Sequence, residues 1–220
     1  MKLKNRFQFC FFICILIACV QVSLGQKRPD DMLNRRLEPL AIEADSMAEI
    51  LSKISGDYGI PIGQEAATDG QSPILSVVIQ GRSLRDVLDE IVKQDPRYEW
   101  KVIDGVINVF PRTKRDLLLA HILDQRVHSF AIPKATRLIQ TRYAIAAIPE
   151  VKELLQQANV TPMDYIAVGG DLVKPDKNFS LNMSDTTVRE ILNQIVRSSN
   201  FKYWIVTRYG KNKEFFVVNF

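Results

Sequence analysis

The residues that could carry metal or nucleophilic chemistry are few and widely spaced. The chain has two histidines, His121 and His128, and its three cysteines (Cys10, Cys14 and Cys19) all lie near the amino terminus. Protein zinc sites draw three or four ligands, mostly cysteine and histidine, often at short sequence spacings. Because the two histidines have no such neighbours, the sequence predicts structural or surface roles for them, no metal site and no cofactor.

Carboxylates occur in small groups within helix-forming stretches. Asp86, Asp89 and Glu90 share one stretch, and Glu150 and Glu153 share another. A general acid–base pair needs a cleft and perturbed pKa values, whereas charges on the polar face of an amphipathic helix are usually solvated. The sequence also has no Gly-x-Ser-x-Gly motif and no glycine-rich phosphate loop. We therefore predict a protein that is not an enzyme and has no catalytic residues.

The first 25 residues have the organisation of a secretory signal peptide. Three basic residues precede an apolar run, and small residues surround a cleavage point after Gly25. A second interpretation is a lipobox at Leu16-Ile17-Ala18-Cys19, in which Cys19 would be lipidated. A retained membrane anchor is the least favoured interpretation because the apolar run is short. We favour cleavage after Gly25, and expect membrane association only if Cys19 is lipidated.

The charge and cysteine content without this leader indicate a compartment. Without its three basic residues, the chain keeps 26 basic and 25 acidic side chains. A nearly neutral domain lacks the basic surface that nucleic-acid binding requires. No cysteine remains, and an exported chain without disulfides is more typical of a bacterial envelope than of eukaryotic secretion. We predict the periplasm of a Gram-negative-type bacterium or, with lipidation, an anchored position in its envelope.

The elements that would position functional residues occur twice along the chain. Residues 75–110 predict a strand, an amphipathic helix with apolar residues at i, i+3, i+4, i+7 and i+8, and a hairpin turning at Asp104-Gly105. Residues 179–220 predict the same order, with a longer turn. A shift of 104 residues superposes the two helices, with Leu84 on Val188, Arg85 on Arg189 and Trp100 on Trp204. An internal duplication explains these matches better than two unrelated amphipathic helices.

The rest of the sequence extends each unit into a module. Ser46 predicts a helix cap, Pro61 indicates an edge strand, and residues 116–124 fit either a helix or a strand. Residues 165–168 predict a short strand, which a turn at Gly169-Gly170-Asp171 follows. We predict an α+β fold of two small related β-α-β-β modules, each a small sheet with amphipathic helices on one face. The predicted boundaries are a signal peptide at 1–25, a flexible lead-in at 26–36, a first module at 37–111, a linker at 112–126 and a second module at 127–220.

Two segments of the first module carry a resemblance to a known family. They are LEPLAIEADSMAEILSKISGDYGIPI (37–62) and ILSVVIQGRSLRDVLDEIVKQDPRYEWKVIDGVINVFP (74–111). They resemble the opening and the close of the secretin and TonB N-terminal short domain, and the second half matches only in its last forty-odd residues. The resemblance implies a small periplasmic module that docks partners without chemistry, in front of a receptor barrel or secretin ring. Because the sequence stops at Phe220, after the last strand, we expect a free-standing module.

Aromatic residues concentrate in the two hairpins and suggest an interaction surface. Adjacent strand residues point to opposite faces, so one ring of each adjacent pair must point away from the helices. The candidate interaction residues are Tyr203, Trp204, Phe215 and Phe216. We predict a non-catalytic envelope module that docks a protein or peptide through a sheet edge or an aromatic face. The alternatives are a structural, homo-oligomeric subunit of a secretin-like envelope assembly and, last, an enzyme with an unrecognised site.

Overall fold

The computed structural model describes residues 29–68, 70–134, 136, 138–163, 179–210 and 213–220. These residues form an α+β fold, as the sequence predicted. The predicted leader with Cys19, and the strand and turn predicted at 165–171, lie outside the described residues. None of the helices in the described ranges combines the length and the apolar character that a membrane span requires.

The first half is built from short elements with well-defined ends. Ser46 caps its longest helix by accepting a hydrogen bond from the Glu49 N–H group, and the Glu49 carboxylate accepts one from the Asp45 N–H group. Gly59 ends that helix with a φ of 63°, a left-handed conformation that glycine adopts without strain. The elements are α1 (Pro29–Leu33), β1 (Leu40–Ala44), α2 (Met47–Tyr58), β2 (Ile62–Glu65), β3 (Leu75–Ile79), α3 (Leu84–Gln94), β4 (Tyr98–Ile103) and β5 (Val106–Pro111).

The second half follows the same order of elements, with two helices instead of one between its first and second strands. Thr187 and Glu190 form a reciprocal capping box at the start of its most amphipathic helix, and Pro149 begins another helix at its first turn. The elements are α4 (Leu117–Asp124), β6 (Arg126–Ile132), α5 (Leu138–Ala146), α6 (Pro149–Gln157), β7 (Val160–Pro162), β8 (Leu181–Thr187), α7 (Val188–Ser198), β9 (Tyr203–Tyr209) and β10 (Glu214–Asn219).

Strand pairing follows one rule in both halves. The strand that opens each half pairs antiparallel with the strand before the amphipathic helix, β1 with β3 and β6 with β8. The hairpins β4·β5 and β9·β10 are antiparallel, and each accepts a parallel neighbour, β2 or β7. Helices α3 and α7 begin and end 104 residues apart, the shift that the sequence indicated. The two halves therefore share one arrangement of strands around their amphipathic helices.

The sheets differ from the predicted arrangement in one respect. We predicted a separate small sheet for each module, but six strands from both halves form one sheet in the order β4-β5-β2-β9-β10-β7. Strand β2 of the first module pairs in parallel with β9 of the second. This pairing satisfies two strand edges that separate modules would leave open to water or to other chains.

The predicted edge position of the strand after Pro61 is wrong, because β2 lies inside the sheet between β5 and β9. Proline is excluded from inner strands because it has no N–H group to donate. Pro61 precedes the first residue of β2, and the sheet uses only its carbonyl, which accepts a hydrogen bond of 3.1 Å from the Ile107 N–H group. The absence of an N–H group at Pro61 therefore removes no hydrogen bond from the sheet.

The predicted flexible lead-in is also wrong for residues 29–36. Helix α1 buries Leu33 in the first core, and Arg36 forms a β-bridge with Ser83. The Arg35 carbonyl accepts a hydrogen bond of 3.0 Å from the Leu84 N–H group at the start of α3. One buried leucine and these backbone contacts fix the segment, although its composition is polar and charged.

The predicted linker, 112–126, belongs to the second core. The ambiguous stretch within it is helix α4, and the Asp116 carboxylate caps this helix by accepting hydrogen bonds from the N–H groups of Leu118 and Leu119. The residues of α4 that are buried in the second core are Leu119, Ile122 and Leu123. The connection therefore packs as part of the second module.

We predict that Gly63→Ala lowers the free energy of unfolding by about 1–3 kcal/mol, because overpacking displaces neighbours. A Cβ atom at Gly63 would lie 2.2 Å from the Trp204 indole. Gly56→Ala is the matched control, since a Cβ atom there has no neighbour within 4 Å, and we expect it to stabilise α2 by about 0.5–1 kcal/mol. Urea unfolding measures both variants. Equal stability of the two would contradict the tight contact between β2 and Trp204.

Candidate functional site

Each module holds one tryptophan against its amphipathic helix in the same way. The Trp100 Nε1–H group donates to Asp89 Oδ1 at 3.0 Å, and the Trp204 Nε1–H group donates to Asn193 Oδ1 at 3.0 Å. The two acceptors are also 104 residues apart. The structure thus contains two copies of one local site, formed by a hairpin tryptophan and the helix behind it.

In the second module, strand β2 of the first module fills this site. Gly63 lies opposite Trp204 in the parallel register, and its backbone contacts the indole directly because it has no side chain. Trp204 is fully buried as a result, at 0% exposure. A strand can approach an aromatic ring this closely only with glycine at the contact.

A buried carboxylate follows the glycine by two residues. Glu65 is fully buried and accepts hydrogen bonds from Arg115 Nε at 2.8 Å and from Arg115 Nη2 at 2.6 Å. Arg189 Nη2 lies 3.5 Å from Glu65 and Arg189 Nη1 lies 3.4 Å from Asn108 Oδ1. The hydrogen bonds with Glu65 raise the pKa of Arg115. Since an unpaired buried carboxylate would be costly, these contacts fix the position of β2.

Gln64, which lies between Gly63 and Glu65 in β2, also contacts the second module. The Tyr203 hydroxyl donates to Gln64 Oε1, and the Gln64 amide lies 3.5 Å from the Tyr98 hydroxyl. Burial raises the pKa of the Tyr203 hydroxyl well above its ordinary value. Tyr203, a candidate interaction residue from the sequence, therefore contacts the other half of the chain.

In the first module, the same site lies at a sheet edge. Among the described residues, β4 has a strand neighbour on one side only. The Arg112 N–H group donates to the Arg97 carbonyl at 2.7 Å, and hydrogen-bonding pairs alternate along antiparallel strands. The backbone N–H and C=O groups of Trp100 and Val102 therefore point away from β5, towards the open edge.

A groove of about 650 Å³ runs beside this edge. Trp100 and Val102 are half-buried at its base, and the Arg85 guanidinium lies 5.8 Å from the centre of the Trp100 ring, within cation–π range. The groove combines apolar surface with charged groups and unpaired strand backbone. Its lining residues are Leu33, Arg85, Asp89, Val92, Glu99, Trp100, Lys101, Val102 and Arg112.

The other predicted interaction residues have different surroundings. Trp204 and Phe216 are buried, at 0% and 2% exposure, so they cannot form the exposed aromatic face that the sequence suggested. Phe215 is half-buried, and its ring centre lies 5.9 Å from that of Tyr209 and 5.4 Å from Lys213 Nζ. No aromatic surface arises from the four residues together.

The histidines lie on separate elements of the second module. His121 is exposed in the last turn of α4, and His128 Nδ1 lies 3.4 Å from Asp185 Oδ1 at the surface. Within the described ranges, no three His, Cys, Asp or Glu side chains converge in a way that could hold a metal ion. Neither histidine is part of the groove.

The carboxylates that the sequence grouped together make separate local contacts. Asp89 orients Trp100, as described above, and the other four hold neighbouring backbone or side-chain donors. The contacts are Asp86 with Ser83, Glu90 with Arg82, Glu150 with the His128 N–H group and Glu153 with Gln157. One of the five carboxylates, Asp89, therefore lines the groove.

The groove was not identified from the sequence, although part of its signal was visible. The shift of 104 residues already paired Arg85 with Arg189 and Trp100 with Trp204. Extending the shift to Asp89 and Asn193 would have completed the site. Which copy is filled depends on the pairing of β2 with β9, and no local pattern encodes that pairing.

Comparisons with known proteins provide no family from which a function could be transferred. No protein-family model matches the chain, and no curated protein sequence matches it either. The resemblance to the secretin and TonB N-terminal short domain stays a prediction from two sequence segments. The arguments below therefore rest on the groove, the edge and the duplicated site.

We predict that Glu65→Gln lowers the free energy of unfolding by about 3 kcal/mol, because the arginines beside it lose their buried counter-charge. Glu49→Gln is the control with the same chemical change. Glu49 pairs with Lys53 at 2.8 Å, and both side chains are more than 40% exposed, so we expect a much smaller loss of stability than at Glu65. Thermal and urea unfolding measure the stability of both variants. Similar losses of stability would show that Glu65 does not fix the position of β2.

Proposed function

We propose that the protein is a non-catalytic docking module of the bacterial envelope that binds an extended segment of a partner protein along β4. The supporting observation is the open edge of this six-residue strand, where the backbone groups of Trp100 and Val102 point outward beside the groove. In strand addition, main-chain hydrogen bonds supply affinity, and pockets beside the edge select side chains. The β4 edge has both features.

The opposite end of the sheet supports this choice of edge. Strand β7 has only three residues and ends at Pro162. The Met163 N–H group donates to the Phe216 carbonyl at 2.9 Å, so the alternation along the strand turns Pro162 away from β10, to the side where β7 has no strand neighbour among the described residues. Proline offers no N–H group to an added strand, and short proline-bearing edges resist pairing. The two ends of the sheet therefore differ, and β4 is the end suited to a partner.

The proposed location follows from the leader. A cleaved signal peptide would deliver the module to the periplasm, and lipidation of Cys19 would hold it at a membrane instead. In either case the partner is a protein of the same compartment. A secretin-like assembly built through sheet edges would need both ends of the sheet to pair, and Pro162 disfavours one of them.

We predict that Val102→Pro weakens strand addition at β4. A library of random dodecapeptides on phage, selected on the wild-type protein, supplies the probes, and calorimetry measures their affinities. Loss of the outward N–H group should weaken selected peptides by about tenfold or more, equivalent to about 1.4 kcal/mol. The fold should persist, since proline is tolerated where an edge N–H group faces solvent, and circular dichroism verifies this.

Val78→Pro makes the same change on another edge and is the matched control. The backbone of Ser76 bonds the Gln94 side chain, on the side of β3 opposite to β1, so Val78 also directs its N–H group outward. Peptide affinity should be unchanged in this variant. Peptides that bind Val102→Pro as tightly as wild type, or a selection that enriches none, would overturn the proposed function.

A further inference from the structure

The chain itself shows what kind of strand fits the proposed edge. Resting on the docking function above, we propose that the partner segment runs parallel to β4, with a glycine opposite Trp100 and a carboxylate residue two positions later. The partner is another protein that carries an apolar-Gly-x-Glu/Asp segment. The filled site of the second module supplies the geometry that an added strand would adopt at the open site of the first.

The register of the filled site maps directly onto β4. Ile62, Gly63, Gln64 and Glu65 lie opposite Tyr203, Trp204, Ile205 and Val206. Subtracting 104 from each position of β9 gives Glu99, Trp100, Lys101 and Val102 of β4. An added strand in the same register would place its glycine on Trp100 and its carboxylate residue opposite Val102.

The hydrogen-bonding groups also correspond. In the filled site, the Ile62 N–H group donates to the Lys202 carbonyl at 2.8 Å and the Ala66 N–H group donates to the Val206 carbonyl at 3.0 Å. Evenly spaced bonds of this kind define a parallel ladder. Positions 202, 204 and 206 therefore face β2, and the equivalent positions 98, 100 and 102 are those whose backbone faces away from β5.

Burial separates the two copies at four equivalent positions. In the second module, where β2 covers the site, these side chains are buried, and in the first module they are exposed or half-buried. The pairs, first module before second, are Arg85 and Arg189, Asp89 and Asn193, Trp100 and Trp204, and Val102 and Val206. One added strand would cover these four positions of the first module, as β2 covers their counterparts in the second.

The glycine preference follows from the position of the indole. A Cβ atom at Gly63 would lie 2.2 Å from the Trp204 ring. Trp100 is held by the same 3.0 Å bond to its helix as Trp204, so its ring has the same relation to the strand edge. A strand at ladder distance on β4 would therefore need glycine at this contact.

The carboxylate preference follows from the arginine at the helix start. Arg189 and Arg85 are each the second residue of their helix, after the caps Thr187 and Ser83. Arg189 contacts the Glu65 carboxylate of the added strand, and Arg85 lines the open groove at the equivalent place. The charged groups around the open site within the described residues are Arg85, Lys101, Arg112, Asp89 and Glu99, which give a net positive charge. That balance favours an anionic ligand side chain.

The test uses a synthetic peptide with the sequence of residues 58–67, YGIPIGQEAA, blocked at both ends. We expect it to bind the wild-type protein, and to bind Val102→Pro about tenfold more weakly. Gly63→Val in the peptide should lose binding because its side chain would overlap the Trp100 ring. Glu65→Lys in the peptide should weaken binding to wild type, and Arg85→Glu in the protein should restore it. The charge exchange distinguishes a specific pair from a general loss of folding.

Strand direction is read from nitroxide labels at either end of the same peptide. In a parallel complex, a label at the peptide amino terminus should broaden backbone amide NMR signals near Tyr98. A label at the carboxyl terminus should broaden those near Ile103. The reverse pattern would show antiparallel addition and overturn the inference, because the filled site is parallel.

The outcomes separate this inference from the docking function. Phage peptides that bind β4 but run antiparallel, or show no preference for glycine and a carboxylate, would overturn the inference and leave docking intact. Absence of any binding at β4 would overturn both. Self-association in analytical ultracentrifugation that Val102→Pro abolishes would assign the edge to a second copy, and would overturn the choice of another protein as partner.

Discussion

The parallel pairing of β2 with β9 is the interaction on which the rest of the structure depends. It joins the two modules into one sheet and buries Trp204 under the backbone of Gly63. It also determines which edges are left. Because β2 stays paired with β5 and also covers β9, the sheet ends, within the described residues, at β4 on one side and at β7 on the other, and β4 is the end without a proline on its outward side.

The buried ion pairs at this joint explain why the pairing has one register. Sliding β2 by one residue would turn Glu65 to the opposite face of the sheet, away from Arg115 and Arg189. A carboxylate buried without its partners is far costlier than one that stays in water. Buried ion pairs are weak sources of net stability, and their best-attested role is to specify register. The register of β2 on β9 is thus specified by steric contact at Gly63 and by the ion pairs of Glu65.

The sequence predicted what short-range patterns encode. The cap at Ser46, the amphipathic helices, the hairpins and the shift of 104 residues depend on neighbouring side chains, and the structure contains each of them. The place of β2 could not be predicted, because its partner β9 lies about 140 residues away in the chain. Two errors follow from that gap: Pro61 was assigned to an edge strand, and Trp204 to a surface.

At one pair of equivalent positions, the residue type differs between the open and the filled copy of the site. The acceptor for the tryptophan N–H group is Asp89 in the open site and Asn193 in the closed one. A carboxylate at 193 would be buried beside Asn108 and would suffer the full cost of desolvation. A carboxylate at 89 stays in contact with water and suffers little of that cost. The neutral amide therefore suits the site that the chain covers, and the charged form suits the site that is open to water.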